Sequence, residues 1–211
     1  MVRFLSGVFP RRTEQPLYDL FAELADVLVQ AADLHSRLLG QTYRERTRLA
    51  PHLHEHATRS EELCRRIAER LADSLITPYE AELLYDFALT IADAIDQMEH
   101  TAGLLVVSRA GALPRPLLDT AEGIERSAEH TVAATWKLSN VQEMGEYHSH
   151  VRRQKRQSDR LVREGLGELY RQGGSLQEMM PLHDAAGSLR ATATLLEKVA
   201  RITDMLRVKD A

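Results

Sequence analysis

Apolar residues recur every three or four positions along most of the chain, a spacing that lines one face of an α-helix. The first such series runs from Leu17 to Leu38 and stops at Gly40, and a second runs from Leu49 to Leu71. Strand signals are weak, because apolar and polar residues do not alternate over any long stretch and no Asn-Gly or Asp-Gly hairpin turn occurs. We therefore predict an all-α protein whose first two helices occupy these stretches.

A third helix is predicted to begin at the segment Thr77-Pro78-Tyr79-Glu80. A threonine followed three residues later by glutamate matches a capping box, and proline is favoured in the first turn because it has no amide hydrogen to leave unpaired. The apolar series then continues from Leu84 to Leu105. A glycine and two prolines between residues 111 and 116 end the series and form the clearest break in the chain.

Three further helices are predicted after this break. The fourth spans about 117–140, and the fifth spans roughly 142–171 and ends before the Gly173-Gly174 pair. The sixth begins with Ser175-Leu176-Gln177-Glu178, a second capping box. Pro181 falls in its second turn and is expected to kink the helix or to delay its start.

The two halves of the chain share a register at an offset of 98 residues. Helix-entry prolines, capping residues and several acids recur at this offset: Pro16 and Pro114, Thr77 and Ser175, Glu80 and Glu178, Asp86 and Asp184, and Glu99 and Glu197. A duplicated unit would produce this order, although any six-helix chain aligns with itself at some positions. We predict one domain over residues 1–211, an elongated six-helix bundle with pseudo-repeated three-helix halves at about 14–110 and 114–209.

Composition narrows the class of protein. The 211 residues carry 27 basic and 31 acidic side chains, and 44% are hydrophobic, which supports a packed core and excludes a disordered or collagen-like chain. The net charge of −4 disfavours a dedicated nucleic-acid binder. Cys64 is the single cysteine, which excludes a disulfide within the chain. No apolar run is long enough to span a bilayer, the stretch Phe4–Phe9 lacks a secretory cleavage site, and we expect a soluble cytoplasmic protein.

Motifs typical of enzymes are missing from the sequence. A carboxylate-bridged di-iron bundle requires Glu-x-x-His, and none of the nine histidines follows a glutamate at that spacing. The chain also lacks a P-loop, a GxGxxG turn, a GxSxG elbow and an HExxH helix. We therefore predict that the protein is not an enzyme.

Acidic and imidazole side chains provide the candidate metal ligands. Asp93, Asp96 and Glu99 follow one helical face at intervals of three, where they form a divalent-metal strip, an arginine-binding strip or a solvated acidic surface. His52 and His56 have the i, i+4 spacing of metal ligands. The remaining candidates are His54, His148, His150, Glu61, Glu62, Asp159, Glu197 and Asp204.

The densest run of charge is Arg152-Arg153-Gln154-Lys155-Arg156, followed by Arg160 and Arg163. Such a run is most often a solvated helix face, and it also has the charge to contact anionic lipid headgroups, phosphate or an acidic partner. It contains no interleaved aromatic residues for stacking on bases, which again argues against nucleic acid.

Several segments together resemble one family, the PhoU-like proteins of the Pit-accessory branch. The segments are Phe9-Pro10-Arg11-Arg12, Leu17-Tyr18-Asp19-Leu20-Phe21, Leu75-Ile76-Thr77-Pro78-Tyr79-Glu80, the Asp93/Asp96 helix and Ser158-Asp159-Arg160-Leu161. The resemblance covers essentially the whole chain in order, and its best single motif is the Thr77-Pro78 turn. It implies a six-helix, two-fold pseudo-repeated bundle that docks on phosphate-transport or sensor machinery.

The resemblance also implies Glu-x-x-x-Asp motifs that hold iron or zinc, and here these motifs are degenerate. The matching pairs are Ala57 and Glu61, Lys155 and Asp159, Glu197 and Arg201, and the tandem acid of the third helix is reduced to Ala92 and Asp93, with Asp96 retained. The surviving metal candidates are thus Glu61, Asp93, Asp96, Asp159 and Glu197. Because half of the ligands are replaced, Lys155 and Arg201 are expected to neutralise the remaining acids as internal salt bridges.

These observations lead to a functional expectation with two alternatives. We expect a non-enzymatic regulator or accessory protein of inorganic phosphate transport, cytoplasmic or held at the membrane by a Pit-type transporter on which it docks, with no nucleic-acid partner. The first alternative is an iron- or zinc-binding bundle without a transport role, to which His52 and His150 would add ligands. The second is a metal-free helical adaptor. The sequence leaves open whether the chain forms a homo-oligomer.

Overall fold

The computed structural model describes residues 15–74 and 77–210, and within these ranges the chain forms six α-helices and no strand. The helices are α1 (Gln15–Leu39), α2 (Tyr43–Ala72), α3 (Ala81–Val107), α4 (Arg115–Thr135), α5 (Tyr147–Gln172) and α6 (Leu176–Lys209), with a 3₁₀ turn at Val141–Met144. The prediction of an all-α, six-helix bundle is confirmed. The segment Phe9-Pro10-Arg11-Arg12 and the pair Leu75-Ile76 lie outside the described residues.

The helices pack in two sequential groups that share one core. In the first group α2 contacts α1 and α3, and in the second α5 contacts α4 and α6. The groups meet mainly where α3 packs on α6 and α1 packs on α4, so α2 and α5 lie on the outside. Buried apolar residues from all six helices form one continuous cluster. None of the described helices combines the length and apolar character needed to span a bilayer.

The two predicted capping boxes have different outcomes. At Ser175 the box is present, because the Ser175 hydroxyl accepts from the Glu178 amide and the Glu178 carboxylate accepts from the Ser175 amide. At Thr77 the prediction is wrong, and α3 begins at Ala81 instead. The Thr77 hydroxyl donates to the Tyr79 carbonyl at 2.6 Å, and no side chain caps the start of α3.

The fifth helix begins later than predicted. A 3₁₀ turn precedes it, and α5 starts at Tyr147. Val141 and Met144 are both buried, and a spacing of three places them on one side of a 3₁₀ turn. The 3₁₀ turn therefore places both side chains in the core. Pro181 lies inside α6 without delaying its start at Leu176.

Arg46 is buried and joins three helix ends. Its guanidinium donates to the carbonyl oxygens of Leu39 at 3.0 Å, Ala110 at 2.8 Å and Gly111 at 3.0 Å. Leu39 ends α1, and Ala110 and Gly111 lie in the loop that follows α3, so one cation binds the last carbonyl of α1 and two carbonyls of that loop. Burial lowers the pKa of Arg46. The side chain thus fixes the start of α2 against the ends of α1 and α3.

His35 is a second buried polar residue, and it lies in the middle of the apolar face of α1. It is fully buried, and neither ring nitrogen has a hydrogen-bond partner among the described residues. Burial lowers its pKa from 6.5 to about 4, so the imidazole is neutral in the folded protein at neutral pH.

Gly165 allows α5 to approach α4 closely. A Cβ atom at this position would lie 2.8 Å from both Cγ and Cδ2 of the buried Leu117. Gly187, by contrast, is exposed on α6, and a Cβ there would meet nothing within 4 Å.

We expect G165A to lower the free energy of unfolding by about 1 kcal/mol, because overpacking costs about 1–3 kcal/mol and exceeds the gain in helix propensity of about 0.5–1 kcal/mol. The control G187A should gain that propensity term alone and become more stable. Urea unfolding of both variants measures the two effects. Equal stabilisation by both substitutions would show that Leu117 moves away from the new Cβ atom without a cost in free energy.

Candidate functional site

Three of the predicted acids lie together where α2 packs on α3. We call Glu61, Asp93 and Asp96, all of which are exposed, the acidic cluster. Partial burial raises the pKa of Asp96, and the negative charges of Glu61, Glu99 and Asp93 raise it further. The three carboxylates therefore repel one another across the two helices.

The buried thiol of Cys64 is affected by the acidic cluster. Burial raises the pKa of Cys64 to about 12, and the charges of Asp93, Asp96 and Glu61 act in the same direction. Its Sγ atom donates to the carbonyl oxygen of Ala88 at 3.3 Å. A thiol with this pKa is protonated at neutral pH, so it is neither a nucleophile nor a thiolate ligand.

Two of the three histidines of α2 have carboxylate partners among the described residues. The Nδ1 atom of His54 lies 2.7 Å from the Glu99 carboxylate, which links α2 to α3. The Nδ1 atom of His52 lies 3.4 Å from the Glu55 carboxylate within α2. His56 is half-buried, and that burial lowers its pKa. His52 and His54 therefore each contact an acid in this arrangement.

The predicted acid on α5 lies between two cations. The Nζ atom of Lys155 is 2.6 Å from the Asp159 carboxylate, and the Nε atom of Arg190 from α6 approaches it at 3.2 Å. Asp159 is mostly buried. Two basic side chains thus compensate its charge, which leaves no surplus negative charge to attract a divalent cation.

The motif on α6 is arranged differently. Glu197 is half-buried and Arg201 is exposed, and neither forms an ion pair with another residue of the described ranges. The neighbouring Lys198 places its Nζ atom 2.8 Å from the carboxylate of Asp86 on α3. Of the two predicted compensating cations, Lys155 has an acidic partner within the described residues and Arg201 does not.

The predicted metal candidates do not form one ligand set. Glu61, Asp93 and Asp96 belong to the acidic cluster, Asp159 is paired with cations, and Glu197 is separate from both. Among residues 15–74 and 77–210, no three side chains of His, Cys, Asp or Glu are placed to hold a metal ion.

A cleft of about 270 Å³ lies where α4, the 3₁₀ turn and the first turn of α5 meet. Its lining includes His130 and His150, whose ring centroids are 5.1 Å apart. Burial lowers the pKa of His130, and the neighbouring His150 lowers it further. His150 was a sequence candidate and His130 was not, because no helical spacing connects two residues on different helices. His148 instead lies 2.5 Å from Asp204 of α6.

Comparison with known proteins identifies the fold. No family model and no curated protein matches the sequence. A solved PhoU-like protein from Shewanella oneidensis MR-1 superposes with a TM-score of 0.80 over 91% of this chain and 99% of its own, at 14% identity. The chain has the PhoU-like fold. A second structure from the same organism, described as a PhoU-like phosphate regulatory protein, gives a TM-score of 0.71 at 15% identity over 92% of this chain and 99% of its own.

The three degenerate Glu-x-x-x-Asp motifs lie on three different helices of the PhoU-like fold. Ala57 and Glu61 lie on α2, Lys155 and Asp159 on α5, and Glu197 and Arg201 on α6. Ala57 is buried and apolar, where the resemblance implies an acid. The motif positions therefore carry fewer negative charges than the cation-binding motifs that the resemblance implies.

Proposed function

We propose that the protein is a non-enzymatic regulator of inorganic phosphate transport that docks on the cytoplasmic side of a Pit-type transporter. The observation that carries the proposal is the agreement of fold over 91% of the chain with a PhoU-like protein. A second neighbour is described as a PhoU-like phosphate regulatory protein, which supports a role connected with phosphate. The Pit assignment rests on the sequence resemblance at the Thr77-Pro78 turn and at Ser158–Leu161.

The chemistry of the described residues supports docking over catalysis. The Cys64 thiol is protonated, Asp159 is paired with two cations, and the acidic cluster is exposed at the surface. Exposed or paired carboxylates are suited to contacts with another protein, whereas an acid–base catalyst requires a titrating group within reach of a substrate.

Deletion of the gene tests the proposal. We expect deletion to change the rate of phosphate uptake through the Pit-type transporter and wild-type protein to restore it, because a regulator acts through its partner. The purified chain should also co-purify with the detergent-solubilised transporter. The folded variant G187A serves as a control and should complement fully. Unchanged uptake together with a failure to co-purify would overturn the proposal.

The alternative is a divalent-metal-binding bundle, and the repulsion within the acidic cluster is the observation in its favour. Iron or zinc would relieve this repulsion if Glu61, Asp93 and Asp96 moved together around it, because their positions in this structure do not form a three-ligand site. Elemental analysis of untagged protein distinguishes the two functions. Our proposal expects iron, zinc and manganese well below one equivalent, and a full equivalent that is lost in D93N/D96N would favour the alternative.

A further inference from the structure

One face of α5 presents a row of arginines to solvent. Arg152, Arg156, Arg160 and Arg163 are spaced by four, four and three residues, which places them on one helical face, and Arg153 lies beside them. All five are exposed. They extend over about 16 Å of the helix at 1.5 Å per residue. We call these five residues the arginine stripe.

The arginine stripe is largely without ion pairs. Among the described residues only Arg160 of the stripe forms an ion pair, with its Nε atom 3.5 Å from the carboxylate of Glu164. Asp159 lies on the same helix and is already paired with Lys155 and Arg190. The exposed arginines of α2 differ in this respect, since Arg48 pairs with Glu45 and Arg65 pairs with Glu69. The stripe is therefore a local positive surface on a chain whose net charge is −4.

Exposed apolar side chains continue from the end of the stripe. Tyr170 is 59% exposed, and it follows Arg152 by eighteen residues, which is five full turns on the same helical face. Leu176 and Met180, one turn apart at the start of α6, are 67% and 52% exposed. The ring centroids of Tyr170 and His183 are 6.5 Å apart, so the start of α6 lies beside the end of α5.

We define Tyr170, Leu176 and Met180 as the apolar tip. Three acids are near the tip in sequence: Glu168 lies two residues before Tyr170, Glu178 closes the capping box with Ser175, and Asp184 lies 3.3 Å from His183. Acidic side chains therefore flank the tip without neutralising the arginine stripe.

We propose that the arginine stripe and the apolar tip together form a docking surface for an anionic lipid membrane. The guanidinium groups would contact lipid phosphates, which they match as bidentate donors, while the apolar tip enters the headgroup region. A bilayer matches both parts of the surface in one partner, because its headgroups carry phosphates and the layer beneath them is apolar. The inference goes beyond the proposed function, because binding to lipid requires no transporter.

Co-sedimentation of the full chain with vesicles tests the inference. We expect binding to phosphatidylcholine vesicles that contain phosphatidylglycerol, little binding to pure phosphatidylcholine, and weakening as sodium chloride is added. R152E/R156E/R163E should bind at least about tenfold more weakly, because each basic residue near an anionic surface contributes to attraction. L176S/M180S should bind about threefold more weakly, because the apolar tip no longer enters the headgroups.

Matched controls distinguish the effect of this surface from the effects of the protein's net charge and of exposed apolar side chains elsewhere. R44E/R48E/R65E makes the same change of charge on α2, and M205S/V208S removes exposed apolar side chains at the opposite end of α6. Both should bind like wild type, and circular dichroism confirms that each variant is folded. Equal loss in the α2 triple variant, or equal binding to neutral and anionic vesicles, would overturn the proposal. Binding to polyglutamate without binding to vesicles would assign the stripe to an acidic protein instead.

Discussion

Replacing Arg46 by methionine is expected to lower the free energy of unfolding by about 4 kcal/mol. A hydrogen bond to a charged group contributes about 1.5–3 kcal/mol, and each buried acceptor left without a donor costs about 1–3 kcal/mol. R46M removes three such bonds, to Leu39, Ala110 and Gly111. Methionine is a long side chain like arginine, but it is apolar and has no donor. Urea unfolding followed by circular dichroism measures the loss.

A control and an intermediate variant test the cause of this loss. R48M removes an exposed arginine that pairs with Glu45 three residues away on the same helix, and it should change stability by no more than about 0.5 kcal/mol. R46K should fall between R46M and wild type, because one ammonium cannot reproduce the guanidinium fork. Wild-type stability in R46M would contradict the assignment of Arg46 as the tie between the helix ends.

Replacing His35 by leucine is expected to stabilise the protein, and to do so more strongly at low pH. At pH 8 the imidazole is neutral in both states, and H35L gains about 1–3 kcal/mol because two buried nitrogens no longer lack partners. As the pH falls, the unfolded chain takes up a proton with the ordinary pKa of 6.5, whereas the folded state resists until about pH 4. Wild type therefore loses stability through that window and H35L does not.

The difference between H35L and wild type should grow by about 3 kcal/mol between pH 7 and pH 4. Measuring this difference, rather than either curve alone, cancels the other groups that titrate over the same range. H100Q provides the control, because His100 is exposed and its replacement should leave the pH profile parallel to that of wild type. A constant difference between H35L and wild type would show that His35 has the same pKa in the folded and the unfolded protein.

Local features of the sequence predict the helices. At the Thr77 capping box, where the prediction was wrong, specific contacts account for the difference. The Ser175 box formed as predicted because both of its bonds join residues within one turn. At the other box, Thr77 bonds to the Tyr79 carbonyl and Glu80 accepts a bond from Lys209 near the end of α6. The glutamate is therefore engaged by a residue that no local pattern identifies.

The candidate site shows the same division between local and distant contacts. Asp93, Asp96 and Glu99 share a face by their spacing alone, and Lys155 pairs with Asp159 one turn away. The approach of Glu61 to Asp96 depends on how α2 packs on α3. Arg190 reaches Asp159 only because α6 packs on α5.

The sequence by itself determined the all-α class, the number of helices and the residues on each apolar face, since helical periodicity and capping act over one or two turns. Only the tertiary structure decided that Arg46 joins three helix ends, that His130 faces His150, and that the predicted metal candidates separate into distinct groups. The physical reason is that these contacts join residues on different helices. Their distances are set by how the whole bundle closes around its core, and no single stretch of sequence contains that information.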